Sequence, residues 1–223
     1  MRAMMLAAGR GERLRPLSDT TPKALIEVHG KPLVVHAIER LRAAGIVDIV
    51  INLGWLGERI RETLGDGSDF GVAIRYSDEG EATLETGGGI VNALPLLGNE
   101  PFWVVNADVF CDYAFPDPRL APDDHAHFVL VDNPAHKNGG DFALAGSRVS
   151  ETEGERLTYA GIGCYRPEFF VGENAQRKPL LPMMQRAVHA GRVAGEHYRG
   201  RWFDIGTPER LAAANASARN NFC

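Results

Sequence analysis

Short apolar runs alternate with amphipathic stretches along the first half of the chain. The run from Ala3 to Ala8 carries no charge, which is typical of a strand buried on both faces of a parallel sheet. Pro32 suits the first turn of a following helix and Gly45 suits its carboxyl cap. The pattern predicts strands at 3–8, 47–52, 72–76 and 102–106, with helices at 32–45, 55–64 and 87–97. This alternation is typical of an α/β fold with a mostly parallel central sheet and helices on both faces.

The pattern changes after Cys111, where short extended segments are separated by clusters of turn residues. It predicts strands at 127–131, 141–144, 157–165 and 193–198, a helix at 179–189 and an extended segment at 202–204. Thr207 and Pro208 then suit the N-cap and the first position of a closing helix. We expect one domain over 1–223, with halves at 1–110 and 111–223, the second containing a small lobe of mixed strands.

Composition narrows the classes of partner. The 223 residues carry a net charge of −5 and a pI of about 5.8, which disfavours the basic face that nucleic-acid binding requires. No apolar run reaches the roughly 18 residues of a membrane span, and the first predicted strand begins too early for a cleaved signal peptide. The three cysteines, at 111, 164 and 223, lack zinc or redox spacing, so we expect a reducing cytoplasm.

A glycine-rich, basic loop follows the first predicted strand. Gly9 and Gly11 let the main chain approach a ligand closely, so that successive backbone N–H groups can point at an anion. Arg13, Arg15 and Lys23 follow within fifteen residues and would neutralise a polyphosphate. The glycine spacing fits neither the dinucleotide-binding fingerprint nor the P-loop motif. The loop therefore predicts a site for a nucleoside triphosphate of another class.

Two aspartates each follow a short apolar stretch, where a carboxylate has little structural reason to lie. Asp108 ends Val-Val-Asn-Ala-Asp, and Asp204 lies within Trp-Phe-Asp-Ile-Gly-Thr-Pro. Parallel sheets bind ligands at the carboxyl ends of their strands, so Asp108 and the Gly9 loop are expected to face one crevice. Mg²⁺ prefers oxygen ligands, often one or two carboxylates completed by phosphate and water. Asp108 and Asp204 are therefore predicted Mg²⁺ ligands.

Further fixed spacings surround the two glycines. The chain reads Leu-x-x-Gly-x-Gly-x-Arg-x-x-Pro from Leu6 to Pro16, and Pro-Lys follows after five more residues. This pattern resembles the signature of the sugar-1-phosphate nucleotidylyltransferases. The resemblance implies the Rossmann-like fold of that family, with Asp108 and Asp204 as its metal pair and Arg13 and Lys23 on the triphosphate. Asp204 is also a candidate substrate contact. It implies nucleotide contacts from Ala8, Gly9, Gly11, Glu12, Arg13 and Lys23.

Three consecutive glycines, in Glu-Thr-Gly-Gly-Gly at 85–89, precede the third predicted helix. Glycines there cost conformational entropy, so we expect close approach of the main chain to a ligand, with a flexible turn as the alternative. In the family the matching loop packs on the base and ribose, which implies a contact from Gly87. An upstream Gln or Glu pairs with the base, and the candidates here are Glu81 and, second, Glu79. A carboxylate accepts from uracil or from guanine, so the base stays open.

Candidates for the sugar side are Asn106, Asp141 and an acid within 151–155, for which we take Glu153. The Glu-Lys-Pro motif of many hexose-1-phosphate relatives is missing, so its phosphate-holding lysine must be replaced or dispensed with. Glu-Thr-Gly-Gly-Gly-Ile, Leu-Val-Asp-Asn-Pro with Gly-Asp-Phe, and Gly-Glu-His-Tyr-Arg-Gly resemble the branch of the family that uses N-acetylmuramic acid 1-phosphate. Within that resemblance, Arg199 and Arg201 are expected to meet the lactyl carboxylate.

The resemblance implies an Mg²⁺-dependent enzyme of peptidoglycan recycling that transfers UMP from UTP to N-acetylmuramic acid α-1-phosphate. In-line attack of this kind asks for positioning and charge neutralisation, for which Arg13, Lys23 and Asp108 are the catalytic candidates. A mannose- or heptose-1-phosphate guanylyltransferase shares the N-terminal motifs and is the first alternative. A non-catalytic nucleotide-sugar sensor is the second. We expect a monomer or homodimer without nucleic-acid or membrane partners.

Overall fold

A nine-stranded mixed sheet forms the centre of the fold. The computed structural model describes residues 1–80, 83–118 and 120–217. Its strands are β1 (Arg2–Leu6), β2 (Glu27–Val28), β3 (Lys31–Pro32), β4 (Asp48–Leu53), β5 (Ala73–Asp78), β6 (Phe102–Asn106), β7 (Val109–Cys111), β8 (Ala126–Val131), β9 (Phe142–Ala145), β10 (Arg148–Ser150), β11 (Glu155–Tyr165), β12 (Val193–His197) and β13 (Trp202–Asp204). Its α-helices are α1 (Leu17–Thr20), α2 (Leu33–Ala43), α3 (Gly57–Leu64), α4 (Glu85–Leu97), α5 (Leu181–His189) and α6 (Pro208–Ala216).

Strand β1 lies within a parallel group in the order β5-β4-β1-β6. Leu6, the last residue of β1, is level with Asn52 of β4 on one side and with Asn106 of β6 on the other. Beyond Leu6, the Ala7 N–H donates to the side-chain Oδ1 of Asn52 at 2.7 Å, so the strand ends there. The carboxyl ends of three strands therefore meet at one edge, where α/β sheets bind their ligands.

The strands β8 to β12 continue the same sheet, whereas β13 pairs with β7 in a separate two-stranded sheet. β11 pairs antiparallel with β6 and β8, β12 pairs parallel with β8, and β10 and β9 follow. The register between β11 and β8 shifts between Tyr159 and Gly163. Gly161, within this bulge, has a φ of 73°, and a Cβ there would lie 2.7 Å from the side-chain nitrogen of Asn106. The predicted α/β class is confirmed, and the predicted mixed strands extend the central sheet.

Successive residues of β1 point to opposite faces of the sheet, as the pleat requires. Ala3 and Met5 belong to the core cluster that contains residues of α2 and α3, whereas Met4 belongs to the cluster that contains residues of α4 and α5. Helices therefore cover both faces, as predicted. Among the described residues, no helix has the length and apolarity that crossing a bilayer requires.

The ends of the helices differ from the predictions in one place that matters for the site. α4 begins at Glu85 and not at Gly87, so the three glycines are the third to fifth residues of the helix. At the last helix the prediction is confirmed, because Thr207 Oγ1 accepts from the N–H of Arg210 at 3.4 Å with Pro208 at the first helical position.

Candidate active site

A cavity of about 730 Å³ opens at the carboxyl edge of the parallel strands. Its lining comes from residues 6–13 and 23–24, the ends of β4, β5 and β6, the start of α4, Arg177 and Gly206. A volume of this size is typical of small-molecule and cofactor sites. The position agrees with the general rule that α/β sheets bind ligands beyond the carboxyl ends of their strands.

The predicted loop residues line this cavity, namely Ala8, Gly9, Gly11, Glu12, Arg13 and Lys23. Gly11 has a φ of 66°, a left-handed conformation that favours glycine, and its carbonyl accepts from Ser18 Oγ at 2.8 Å. Gly9 differs, because a Cβ there would meet nothing within 4 Å. Its missing side chain leaves space in the cavity and does not serve packing. The contacts of these residues to a nucleotide stay predictions.

Lys23 and Asp108 form an ion pair inside the cavity, between Nζ and Oδ2. Their side chains are 15% and 27% exposed, so both charges are partly withdrawn from water. Leaving either charge alone in such a place costs free energy. A ligand that binds Lys23 must therefore also supply a positive charge to pair with Asp108. A polyphosphate accompanied by a divalent cation meets that condition.

Asp204 is the last residue of β13, which pairs antiparallel with β7 directly after Asp108. The Ile205 N–H donates to the Asp108 carbonyl at 2.8 Å, so the chain segments that carry Asp108 and Asp204 lie side by side. The Asp204 carboxylate pairs with the guanidinium of Arg210 and lies 3.5 Å from Nε2 of His136. Asp204 itself lies outside the cavity lining. Two carboxylates on adjacent chain segments are oxygen donors of the kind that Mg²⁺ prefers, and their role as Mg²⁺ ligands stays a prediction.

A buried hydrogen-bond network lies where β4 and β5 meet the cavity. Asn52 is 3% exposed, and its Oδ1 accepts from the Ala7 N–H at 2.7 Å. Its Nδ2 donates to Glu79 Oε1 at 2.6 Å, while Glu79 Oε2 accepts from the Leu84 N–H at 2.7 Å. Sequence reasoning missed Asn52, although a polar residue ending a buried strand is the same signal that Asn106 carries.

Two glutamates, Glu79 and Glu81, are the candidates for pairing with the base. Glu79 lines the cavity, with both carboxylate oxygens held by the hydrogen bonds just described. Glu81 lies outside the described residues. Pairing with the base therefore stays a prediction for both.

The three glycines of α4 pack against another part of the chain. The N–H groups of Gly87 and Gly88 donate to the Lys178 carbonyl at 3.0 and 3.1 Å. A Cβ at Gly88 would lie 2.1 Å from the carbonyl oxygen of Gln176. This packing is a reason for glycine at these positions that sequence reasoning did not consider. Gly87 is buried outside the cavity lining, and its contact to a nucleotide stays a prediction.

That packing brings Arg177 to the cavity beside Glu85, a pair that sequence reasoning missed. Arg177 Nε donates to Glu85 Oε1 at 3.0 Å, and the side chains are 72% and 39% exposed. Glu85 has a φ of 58°. The left-handed conformation costs a non-glycine residue about 1–2 kcal/mol, whereas so exposed an ion pair stabilises by at most about 1 kcal/mol. The pair alone therefore does not explain the strain.

The sugar-side candidates separate into one residue in the cavity and two outside it. Asn106 lines the cavity at the end of β6. Asp141 lies outside the lining, where its carboxylate binds Lys137 Nζ at 2.5 Å and the Tyr159 N–H at 2.9 Å. Glu153 also lies outside it, exposed in the turn between β10 and β11. The structure thus brings Asn106 to the cavity, and the contacts of Asp141 and Glu153 with a sugar stay predictions.

Arg199 and Arg201 also lie outside the cavity lining. Arg199 lies 3.3 Å from Nδ1 of His197, and Arg201 pairs with Asp112 at 3.3 Å. The contact of these two arginines with a lactyl carboxylate stays a prediction.

Another group of possible metal ligands comprises Asp132, Glu155 and His197, whose ligand atoms lie within 4.8 Å of one another. Two of the three are exposed, and none lines the cavity. Exposed acidic groups are common without a metal, so we assign no ion to them.

The chain belongs to the nucleotidyl transferase family, whose profile matches residues 2–131. The matched span contains the glycine loop, Lys23 and Asp108. Membership confirms the prediction of a nucleotidyltransferase enzyme.

Similar proteins extend the match over the whole chain. The N-acetylmuramate alpha-1-phosphate uridylyltransferase of Neisseria meningitidis serogroup B is 48% identical over 98% of each chain. The protein of the same name from Caulobacter vibrioides is 36% identical over 96% of this chain and 95% of its own. The mannose-1-phosphate guanyltransferase of Kluyveromyces lactis is 44% identical over 94% of this chain, which spans 62% of that protein.

Among solved structures, a putative glucose-1-phosphate thymidylyltransferase from Bacillus anthracis superposes with a TM-score of 0.84 at 22% identity, covering 99% of this chain and 96% of its own. HddC from Yersinia pseudotuberculosis, complexed with GMP-PN, reaches 0.80 at 21% identity, covering 96% and 97%. These likenesses confirm the predicted Rossmann-like nucleotidyltransferase fold.

Proposed function

We propose that this enzyme transfers UMP from UTP to N-acetylmuramic acid α-1-phosphate, giving UDP-N-acetylmuramic acid and pyrophosphate, in peptidoglycan recycling. The observation that carries the proposal is the 48% identity to a uridylyltransferase of that name over 98% of both chains. The guanyltransferase relatives fit less well, because the one from Kluyveromyces lactis is 44% identical over 94% of this chain.

The cavity supports the chemistry that this reaction needs. A phosphate oxygen of the sugar 1-phosphate attacks the α-phosphorus of UTP in line, and pyrophosphate leaves. Such a transfer depends on positioning and on neutralising charge, not on a covalent intermediate. Arg13 holds the leaving pyrophosphate, and Lys23 turns from Asp108 to the phosphates. The N–H groups of the glycine loop face the same anion.

Asp108 and Asp204 would hold Mg²⁺ in the working enzyme, a role that their carboxylates fit. When bound, the ion neutralises phosphate charge. Asp108 pairs with Lys23 and Asp204 pairs with Arg210, so each carboxylate has a counter-charge.

Pyrophosphate release tests the proposal. UTP, GTP, CTP and dTTP are each combined with N-acetylmuramic acid, N-acetylglucosamine, glucose and mannose 1-phosphates, with MgCl2 present. We expect the highest kcat/KM for UTP with N-acetylmuramic acid 1-phosphate. Highest activity with GTP and mannose 1-phosphate would overturn the substrate assignment, and binding without pyrophosphate release would favour a nucleotide-sugar sensor.

A substitution at Asp108 tests the site separately from the substrate. Asp108→Asn should lower kcat by about 10²- to 10³-fold, as loss of an electrostatic stabiliser does, with an unchanged far-UV spectrum. Asp69→Asn, at an exposed position outside the cavity lining, is the matched control. Equal kcat in the wild type and in Asp108→Asn would overturn the metal assignment.

The cellular setting and the assembly state are also proposals. Cys111 and Cys164 are buried free thiols, and burial raises the pKa of Cys164 to about 12. Unpaired buried thiols suit a reducing cytoplasm. We keep a monomer or homodimer as the expected assembly, which sedimentation at two protein concentrations decides.

A further inference from the structure

Arg177 lines the cavity beside the start of α4, and the transfer of UMP as proposed above gives it no role. Four cationic side chains line the cavity among the described residues: Arg10, Arg13, Lys23 and Arg177. The first three belong to the loop after β1, where the phosphates are expected. Arg177 comes from the segment before α5 and lies beside Glu85. A second anionic group on a substrate would find its counter-charge there.

The main chain on both sides of Arg177 is fixed to α4. The Lys178 N–H donates to the Leu84 carbonyl at 3.0 Å, and the Lys178 carbonyl accepts from Gly87 and Gly88. The absence of side chains at these glycines allows the approach, since a Cβ at Gly88 would collide with the Gln176 carbonyl. Arg177 is thus presented from a rigid support, as a specificity-determining residue requires.

The guanidinium of Arg177 is only partly used by the protein. Its Nε donates to Glu85, and neither terminal nitrogen has a partner among the described residues. Those two nitrogens form the planar fork that matches a carboxylate in bidentate geometry. Glu85 accepts from Nε of the same guanidinium. Glu85 has a left-handed backbone conformation, which costs more free energy than so exposed an ion pair contributes. Backbone strain of this kind persists at ligand-binding positions.

We propose that Arg177 binds the lactyl carboxylate of the sugar substrate and that Glu85 positions its guanidinium. The inference rests on the proposed function, since N-acetylmuramic acid 1-phosphate carries a phosphate and a lactyl carboxylate. Its phosphate belongs with Lys23, close to the α-phosphorus that it attacks, while Arg13 holds the leaving pyrophosphate; Arg177 remains for the carboxylate. Arg199 and Arg201, the earlier candidates, lie outside the cavity lining, where Arg199 is near His197 and Arg201 pairs with Asp112.

The test compares two sugars that differ in the lactyl group. N-acetylmuramic acid 1-phosphate carries it, and N-acetylglucosamine 1-phosphate has a hydroxyl in its place. Arg177→Ala should lower kcat/KM for the first about 10- to 100-fold, mostly through KM, because a hydrogen-bonded charge pair is lost. The second sugar, followed as a substrate and as a competitive inhibitor, should change less than about threefold. Arg177→Lys should restore part of the loss, because it returns the charge without the fork.

The matched control is Arg186→Ala, which also removes an exposed arginine paired with a glutamate, here Glu173, outside the cavity lining. It should leave kcat/KM for both sugars unchanged. Glu85→Gln should raise KM for the muramic sugar in the wild-type background and add nothing in Arg177→Ala, as a positioning residue does. Equal losses on both sugars in Arg177→Ala would assign Arg177 to the shared phosphate and overturn the proposal, as would no loss on either. A wild type inactive with UTP and the muramic sugar would instead overturn the proposed function.

Discussion

Replacing Asn52 by Leu would remove a side chain that joins two parts of the cavity. Its Oδ1 accepts from the Ala7 N–H at the start of the glycine loop, and its Nδ2 donates to Glu79. Leu has a similar volume, so the substitution chiefly deletes hydrogen bonds and leaves no large cavity. Asn52 is 3% exposed, and water therefore cannot readily replace its contacts. The Ala7 N–H and one Glu79 oxygen would lose their partners.

The size of the effect follows from those two losses. A buried donor without a partner costs about 1–3 kcal/mol, and a hydrogen bond to a charged group contributes about 1.5–3 kcal/mol. We expect Asn52→Leu to lower the free energy of unfolding by about 3–5 kcal/mol, from the same contributions. In a domain of this size, each kcal/mol shifts Tm by about 2–4 °C, so Tm should fall by roughly 6–20 °C. KM for UTP should rise as well, because the glycine loop loses its anchor.

Urea unfolding measures the change in stability, and steady-state kinetics well below the transition temperature measure KM. Asn92→Leu is the matched control, since the half-buried Asn92 makes one hydrogen bond, to Ser77 Oγ at 3.0 Å, outside the cavity lining. It should cost no more than about 1.5 kcal/mol and leave KM unchanged. A loss of less than about 1 kcal/mol in Asn52→Leu, with KM for UTP unaltered, would refute the reasoning.

Two further predictions test packing and proton linkage. In Gly88→Ala the new Cβ would lie 2.1 Å from the Gln176 carbonyl oxygen, so the free energy of unfolding measured in urea should fall by about 1–3 kcal/mol. In Gly9→Ala the new Cβ would have nothing within 4 Å, so the free energy of unfolding should change by less than about 0.5 kcal/mol, while KM for the nucleotide should rise. Equal stability losses in the two variants would contradict this distinction. Burial lowers the pKa of His36, whose Nε2 contacts the Val28 carbonyl at 2.9 Å. The unfolded chain therefore binds the extra proton first as pH falls below about 6.5, and stability should decrease from pH 7 to pH 5. His36→Gln should flatten that dependence, and an unchanged slope in urea unfolding at several pH values would show another group to be responsible.

Much of the fold follows from patterns that act over a few residues. The uncharged run at 3–8 predicted β1, and the alternation of runs predicted helices on both faces, because burial on both sides of a parallel strand excludes polar side chains. The glycine loop could also be recognised from the sequence, since Gly9 and Lys23 are close in sequence and belong to one connection after β1. Asn106 and Asp108 were found because polar residues at the end of a buried strand are easily recognised.

Residues far apart in sequence account for what sequence reasoning missed or misread. The glycines of α4 were assigned to a ligand, whereas the structure packs them against the segment that carries Lys178. Glu85 and Arg177 are 92 positions apart, and no local pattern connects them. Asp141 and Glu153 were predicted as sugar-side contacts, and their distance from the cavity lining could not be read from the sequence.

The sequence by itself therefore determined the α/β class, the nucleotide loop and the chemistry expected at the carboxyl edge of the sheet. Hydrophobic periodicity and backbone preferences are local, and they act before any long-range contact forms. The tertiary structure decided which side chains share the cavity, including the placement of Arg177 opposite Glu85 and of Asn52 against Glu79. Those pairings depend on how helices and strands pack against one another, and packing is a property of the whole chain.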